Sequence, residues 1–276
     1  MTIQLSAPFR LRLLHLVILT TALLLLSALP ATADPEGNKQ NDPRPTIVLV
    51  HGAWAGPDGW DRVVAVLRKD GYETATPRLD LMSVQGDVAR VRATLDSIPG
   101  KKILVAHSYG GFVISNAAYG RSDVLGLVYT AAYVPDEGDS VFSLGEGYTP
   151  GAQLEHLIFT GEPFSSPAYI DPAYFPEVFA QDLNPRYAQE LNEDQQPANF
   201  GLLFSPSGPV AWKTLPSWYA VSGRDLIIDP ALQRAVAARI GATTIEYPGA
   251  SHVGGFTRYA ARFVKLIERA DAETPG

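Results

Sequence analysis

Short continuous apolar runs alternate along the chain with segments whose apolar positions recur three and four residues apart. Thr46–Val50 (TIVLV) predicts a strand buried on both faces. Residues 60–69 then place Trp60, Val63, Val64 and Leu67 on one helical face before Gly71 stops the helix. ETATP at 73–77 predicts a second strand. Val84, Val88, Val91 and Leu95 stand at i, i+4, i+7 and i+11, one face of an amphipathic helix ending near Pro99-Gly100. Ile103, Leu104 and Val105 predict a third buried strand, followed by the helix-compatible FVISNAAY. VLGLVYTAAYV at 124–134 predicts a fourth. SWYAV at 217–221, a helix over 230–240, the strand Thr243–Tyr247 (TTIEY) and an amphipathic helix over 255–269 complete the pattern.

Fully apolar strands alternating with helices imply parallel strand–helix–strand units, hence an α/β sheet covered by helices on both sides. The rhythm breaks between 135 and 216. No buried-strand run appears there, only helix-compatible pieces at 176–183, 185–191 and 198–204 separated by Pro and Gly. That length is too great for one loop in a compact domain and predicts a small, mostly helical insertion. The expected organisation is a core of residues 46–136 and 214–276 with a cap at 137–213. No internal repeat is visible.

The first residues read as an export signal rather than as fold. Arg10 and Arg12 precede the apolar run 13–29, and Ala31-Thr32-Ala33 supplies a small-x-small cleavage site before Asp34. The expectation is a Sec-type signal peptide over 1–33, cleaved near Ala33/Asp34, and a secreted or periplasmic protein. A retained N-terminal anchor is the alternative, because the run is just short of a membrane span. Residues 34–45 form a polar, Pro/Gly-rich flexible leader. Without residues 1–33 the net charge of −7 becomes −9, since only Arg10 and Arg12 are lost. An acidic chain with no Lys/Arg run argues against nucleic acid or an anionic membrane as partner. The 276 residues include no Cys, which excludes disulfides and thiolate metal sites. No metal-ligand spacing and no Gly-rich phosphate loop occurs, so no metal and no cofactor is expected.

The chemistry concentrates in Ala106-His107-Ser108-Tyr109-Gly110-Gly111. A serine between a buried strand and a helix, with small residues two before and two after, is the layout of a nucleophile elbow. The turn is tight enough to exclude bulk at Ala106 and Gly110, and it lifts the Ser108 hydroxyl clear of the sheet. A serine hydroxyl needs a histidine base that is itself oriented by a carboxylate. Of the histidines after residue 33, His252 lies in the YPGASHVGG loop after the last strand and suits that role. His107 is expected to point away into packing, His51 to bond backbone near the loop after the first strand, and His156 to lie on the cap surface. Asp225, in SGRD after the SWYAV strand, is the expected acid in the order Ser, Asp, His. Asp136 is the alternative, and Asp229 is expected to cap the next helix. Two N–H donors are also needed for an oxyanion. The N–H of Tyr109 and that of Ala53, in His51-Gly52-Ala53-Trp54, are the candidates.

HGAW, AHSYGG, SGRD and SHVGG together resemble the α/β-hydrolase superfamily. They are most similar to the branch of plant methylesterases, hydroxynitrile lyases and small bacterial esterases, over nearly all of residues 46–270. The resemblance implies the α/β-hydrolase fold, a mostly parallel sheet with a small helical cap inserted after the family's sixth strand. It also implies a Ser108–Asp225–His252 triad with Ala53 and Tyr109 at the oxyanion. Lyases of this branch carry a lysine after the histidine and a threonine in the oxyanion loop. Here Val253 and Ala53 stand there, which favours ester hydrolysis. Dehalogenases and epoxide hydrolases of the fold use an aspartate nucleophile, which Ser108 excludes. A hydroxynitrile lyase, a cofactor-independent oxygenase on the same fold and a non-catalytic small-molecule binder are the alternatives. The stretch 137–216 holds 12 of the chain's 27 aromatic residues, so the partner is expected to be a small apolar or aromatic ester. Trp54, Phe142 and Tyr148 are the candidate pocket residues.

Overall fold

The structure, a computed structural model, describes residues 43–274. The expected signal peptide, and the leader up to residue 42, lie outside the described residues. No helix among the described residues is long and apolar enough to cross a membrane.

The expected runs form a six-stranded sheet. Its strands are β1 (Thr46–Val50), β2 (Thr74–Ala75), β3 (Lys102–His107) and β4 (Val124–Thr130), with β8 (Ser217–Ser222) and β9 (Thr243–Tyr247) beyond the insertion. Their order is β2-β1-β3-β4-β8-β9, and every pairing is parallel. β3 is buried at every position, as a strand covered on both faces requires. The helices Asp61–Lys69, Val84–Ser97, Tyr109–Ala117, Pro230–Arg239 and Ala260–Glu273 flank the sheet. Ser83 caps the second of these by accepting from the Gly86 N–H at 3.1 Å.

The register positions the chemistry. Val50 pairs with Ala106, His107 with Thr130, Thr130 with Ala220, and Ser222 with Tyr247. The carboxyl ends of β1, β3, β4, β8 and β9 therefore share one edge, and the loops leaving them converge there. The strand order reverses between β1 and β3, so this edge contains a topological switch point, where open α/β sheets place their ligands.

Three expectations about elements need correction. β4 stops at Thr130 instead of reaching 134, because Ala131 turns to a φ of +43°. The Tyr133 N–H then bonds the Ser108 carbonyl at 3.1 Å. The last helix is broken into Gly254–Thr257 and Ala260–Glu273 around Tyr259, whose carbonyl accepts the Phe263 N–H at 2.9 Å. The insertion carries an antiparallel sheet that the sequence pattern did not suggest, with β5 (Leu157–Phe159), β6 (Pro167–Ile170) and β7 (Ala198–Asn199) in that order. Strands of two to four residues are too short to display a period of two. The insertion's helices are Val141–Gly145, Phe175–Phe179 and Pro185–Glu193, with single 3₁₀ turns at Ala152–His156, Phe200–Phe204 and Ala211–Lys213.

Candidate active site

Ser108 sits between β3 and the helix Tyr109–Ala117 with φ 55° and ψ −126°, a conformation that disfavours any residue with a Cβ. The surroundings hold it there. Its carbonyl accepts from the N–H groups of Gly111 and Tyr133, and its own N–H reaches the Ala131 carbonyl at 3.1 Å. Glycine is needed at two neighbouring positions. A Cβ on Gly110 would lie 2.6 Å from the Val50 carbonyl oxygen, and one on Gly52 would lie 2.7 Å from Ser108 Cβ. The strain makes a prediction about stability. Ser108→Gly, freed of it, should be more stable in urea than Ser108→Ala by about 1 kcal/mol, although glycine in general costs backbone entropy. Equal midpoints would show that the elbow stores no strain.

Asp225 and His252 are joined. Asp225 Oδ2 lies 2.8 Å from His252 Nδ1, with both side chains fully buried. Asp225 Oδ1 accepts the Ile227 and Ile228 N–H groups at 2.7 and 3.0 Å, and Oδ2 accepts Gln233 Nε2 at 2.7 Å. Gln233 is locked in turn, its Oε1 accepting the Ser222 N–H and its Nε2 donating to the Ile228 carbonyl. Sequence reasoning missed Gln233. The available signal was a glutamine beside Leu232 on the inward face of a helix that Asp229 starts. Asp229 caps that helix through the Ala231 N–H at 2.8 Å and also accepts the Thr149 N–H of the cap. Asp136 lies elsewhere, in an ion pair with Lys213 at 2.5 Å. His252 Nε2 is buried without any hydrogen-bond partner, Ser108 Oγ included.

The other histidines surround this pair. His107 does not point away from the site, because its Nε2 bonds the His252 carbonyl at 3.1 Å and the two rings lie 4.4 Å apart. Burial, then the neighbouring His252, hold its pKa well below the ordinary histidine value. His156 stacks on Tyr174 in the cap, ring centroids 3.8 Å apart. His51 bridges backbone, with Nε2 accepting the Leu79 N–H and Nδ1 facing the Gly52 carbonyl, both at 2.9 Å. Accepting at Nε2 requires the proton on Nδ1, so the ring is neutral and pins Gly52. Burial accordingly pushes its pKa down to about 4.

That shift fixes a sign. The folded pKa lies below the unfolded value of about 6.5, so between these limits the unfolded chain binds more protons. The stability linked to His51 is fully present above pH 6.5 and is lost as the pH falls towards 4. Unfolding free energies from urea titrations at pH 7 and 4.5 should differ by on the order of 2 kcal/mol less in His51→Gln than in the wild type. An unchanged difference would mean that His51 titrates normally when folded.

Ala53 and Tyr109 line a small cavity together with Ser108, Trp54 and, from the cap, Val141, Gln153 and Phe200. Among the described residues, neither the Ala53 nor the Tyr109 N–H donates to a protein acceptor. Trp54, at φ +56°, donates its indole N–H to the Ala168 carbonyl of β6 at 2.9 Å, tying this loop to the cap. Tyr109 donates its hydroxyl to the buried Asp87 at 2.9 Å. Phe142 and Tyr148 line a larger, more open chamber beside it rather than the one that holds Ser108. Phe142 is largely exposed and packs on Phe204, ring centroids 5.1 Å apart. Among the described residues no group of three or more His, Asp or Glu is placed to hold a metal ion.

Comparison with known proteins gives this arrangement its context. Residues 47–266 match the model of the alpha/beta hydrolase family. A carbendazim hydrolyzing esterase from a Nocardioides species is 36% identical over 111 residues, 36% of this chain and 46% of that protein. The matched stretch therefore spans just under half the length of that relative. The alpha/beta hydrolase nvfD of Aspergillus novofumigatus is 26% identical over 215 residues, 70% of this chain and 83% of the relative. Polyneuridine aldehyde esterase superposes with a TM-score of 0.71 over 83% of this chain and 100% of its own, at 17% identity, a likeness of fold. With one family model spanning most of the sequence and the same sheet beneath it, the chain belongs to the alpha/beta hydrolase family.

Proposed function

We propose that this protein is a secreted serine hydrolase that cleaves carboxylic esters of small apolar or aromatic compounds through an acyl-enzyme. The observation that carries the reading is the buried Asp225–His252 pair. Its Nε2 is buried and free, its loop is held by the His252 carbonyl against His107, the residue before the strained Ser108, and the residues of the two unengaged N–H groups line the Ser108 cavity. The esterase names of the carbendazim relative and of polyneuridine aldehyde esterase support it.

In this reading Ser108 Oγ attacks the ester carbonyl carbon while His252 Nε2 takes its proton, the hydrogen bond between them closing when substrate binds. The negative charge on the carbonyl oxygen is received by the Ala53 and Tyr109 N–H groups. Asp225 keeps the His252 proton on Nδ1 and stabilises the imidazolium. His252 then gives its new proton to the departing alkoxide, the C–O bond breaks, and the acyl group stays on Ser108. Water enters, loses a proton to the same Nε2 and releases the acid. Asp225 makes four hydrogen bonds inside the protein, and donors that already face the ionised form need no rearrangement during the reaction.

The test is hydrolysis of a 4-nitrophenyl ester series by the protein lacking residues 1–33. Turnover that peaks at short to medium acyl length is expected. No turnover on any ester, with cyanide released from cyanohydrins instead, would overturn the reading. Export forms part of the proposal. Protein recovered outside the cytoplasm should begin at Asp34, and an intact Met1 there would contradict cleavage.

A further inference from the structure

The substrate cavity is lined mostly by apolar side chains, and one of its polar ones is buried without a partner. Gln153, on the 3₁₀ turn Ala152–His156 of the cap, is 4% exposed, and its Oε1 is buried with no hydrogen-bond partner. An amide oxygen in that condition is costly, on the scale of a lost hydrogen bond, unless something else satisfies it. The backbone is shaped to accommodate it. Gly151 lies directly against the amide, where a Cβ would come within 2.2 Å of Gln153 Oε1 and 2.5 Å of the Ile227 carbonyl oxygen. The segment is also anchored beside the acid, the Ala152 N–H donating to the Leu226 carbonyl at 2.7 Å.

Its position gives the orphaned oxygen a use. Gln153 lines both the cavity that holds Ser108 and the larger chamber bordered by Phe142 and Tyr148. Tyr133, Val141, Leu203 and Ile227 are the other side chains common to both. These residues form the neck between two compartments, and among their buried polar side-chain atoms Gln153 Oε1 is the one without a hydrogen-bond partner. A purely hydrocarbon substrate threading the neck would leave that acceptor buried and unpaired. One carrying an N–H or O–H at the same depth would pair it. A site with a buried polar group discriminates strongly against analogues that lack the matching group, because the penalty then falls on the complex.

We infer that Gln153 selects esters with an elongated, otherwise apolar acyl or alcohol part that carries a hydrogen-bond donor, a secondary amide N–H or a hydroxyl, where the two compartments meet. The inference rests on the ester-hydrolase reading and adds to it a class of substrate.

The experiment uses three families of 4-nitrophenyl esters of equal chain length. One is the plain octanoate. The second replaces two adjacent methylenes by a secondary amide, walked along the chain from the third atom to the sixth. The third is the N-methylated counterpart of each amide, equally polar but without the donor. In the wild type the secondary amide at one position should exceed its N-methyl partner at least tenfold in kcat/KM. Gln153→Met, which keeps the length of the side chain and removes the acceptor, should reduce that ratio to below threefold. Gln153→Glu, which keeps an acceptor, should preserve it.

No preference in the wild type at any position would overturn the inference, as would a preference that survives in Gln153→Met. Melting curves of both variants separate misfolding from lost selectivity. If no ester in the set is hydrolysed, the ester reading fails by itself. The inference is then judged from melting shifts produced by the corresponding unreactive primary amides. A larger shift for the N–H compound than for its N-methyl partner, lost in Gln153→Met, supports it, and equal shifts overturn it.

Discussion

Ser108→Ala should lower kcat/KM on any ester that the wild type hydrolyses by at least about 10⁴-fold while leaving the fold intact. The size follows from the division of labour at the site. The hydroxyl is the atom that forms the bond, and the other members of a triad cannot replace it, so their contributions disappear with it. What survives is binding and the N–H groups of Ala53 and Tyr109, which still polarise a carbonyl for attack by water. The fold should not suffer, because among the described residues no hydrogen bond depends on Ser108 Oγ, whereas its backbone N–H and carbonyl are engaged and unaffected by the change. The measurement is steady-state kinetics on purified variant and wild type with matching near-ultraviolet spectra. Residual turnover above one part in about a hundred would place the nucleophile elsewhere.

The second large effect is expected from Asp225→Asn, on the order of 10³- to 10⁴-fold in kcat with little loss of substrate binding. The hydrogen bonds around the carboxylate dictate how the asparagine would lie. At the Oδ1 position two backbone N–H groups, of Ile227 and Ile228, demand an oxygen. The amide nitrogen is therefore forced to the Oδ2 position. There it meets Gln233 Nε2, itself a donor that cannot turn over because Gln233 Oε1 is held by the Ser222 N–H. An NH₂ facing His252 Nδ1 reverses that bond, so the ring must accept at Nδ1 and carry its proton on Nε2. In that tautomer Nε2 cannot take the proton from Ser108. Activity should recover partly at high pH, where hydroxide can remove the serine proton. A pH–rate profile identical in shape to that of the wild type would contradict this account.

Much of this was readable from residue order. The sheet was legible because its inner strands are buried on both faces, so TIVLV reads as an uninterrupted apolar run that ends where the observed strand ends, and β3 is buried at every position. The elbow was legible because Ala106, Gly110 and Gly111 announce a close backbone approach, and the Gly110 Cβ would indeed strike Val50 and His51. Asp225 could be preferred to Asp136 on strand context alone, and the structure puts Asp136 in a surface ion pair with Lys213.

What was not legible depends on contacts between distant segments. The place of Gln233 beside Leu232 on an inward helix face marks it as buried but does not name Asp225 as its partner, and nothing local marks Gln153 as the polar group at the neck of the cavity. A glutamine on a helix or turn is ordinarily a surface residue. His107 was expected to face away from the site, yet the loop after β9 folds over it and brings the His252 carbonyl within hydrogen-bonding distance. The cap's three-stranded sheet escaped notice because its pairing joins residues 157–159, 167–170 and 198–199, none long enough to show an alternation. Phe142 and Tyr148 are candidates because the insertion is rich in aromatic residues. They line the outer chamber, while Phe200, some sixty residues further on, lines the cavity at Ser108.

The central claim is covalent chemistry at one atom, and the most direct measurement is the mass of the intact protein after reaction with a slowly released phosphonate or carbamate ester. The account predicts one equivalent of added acyl or phosphonyl group. Peptide mapping should place it on Ser108, and its formation should slow sharply in His252→Ala. Label on any other residue, or continuing ester hydrolysis in protein that carries one full equivalent of label, would contradict it.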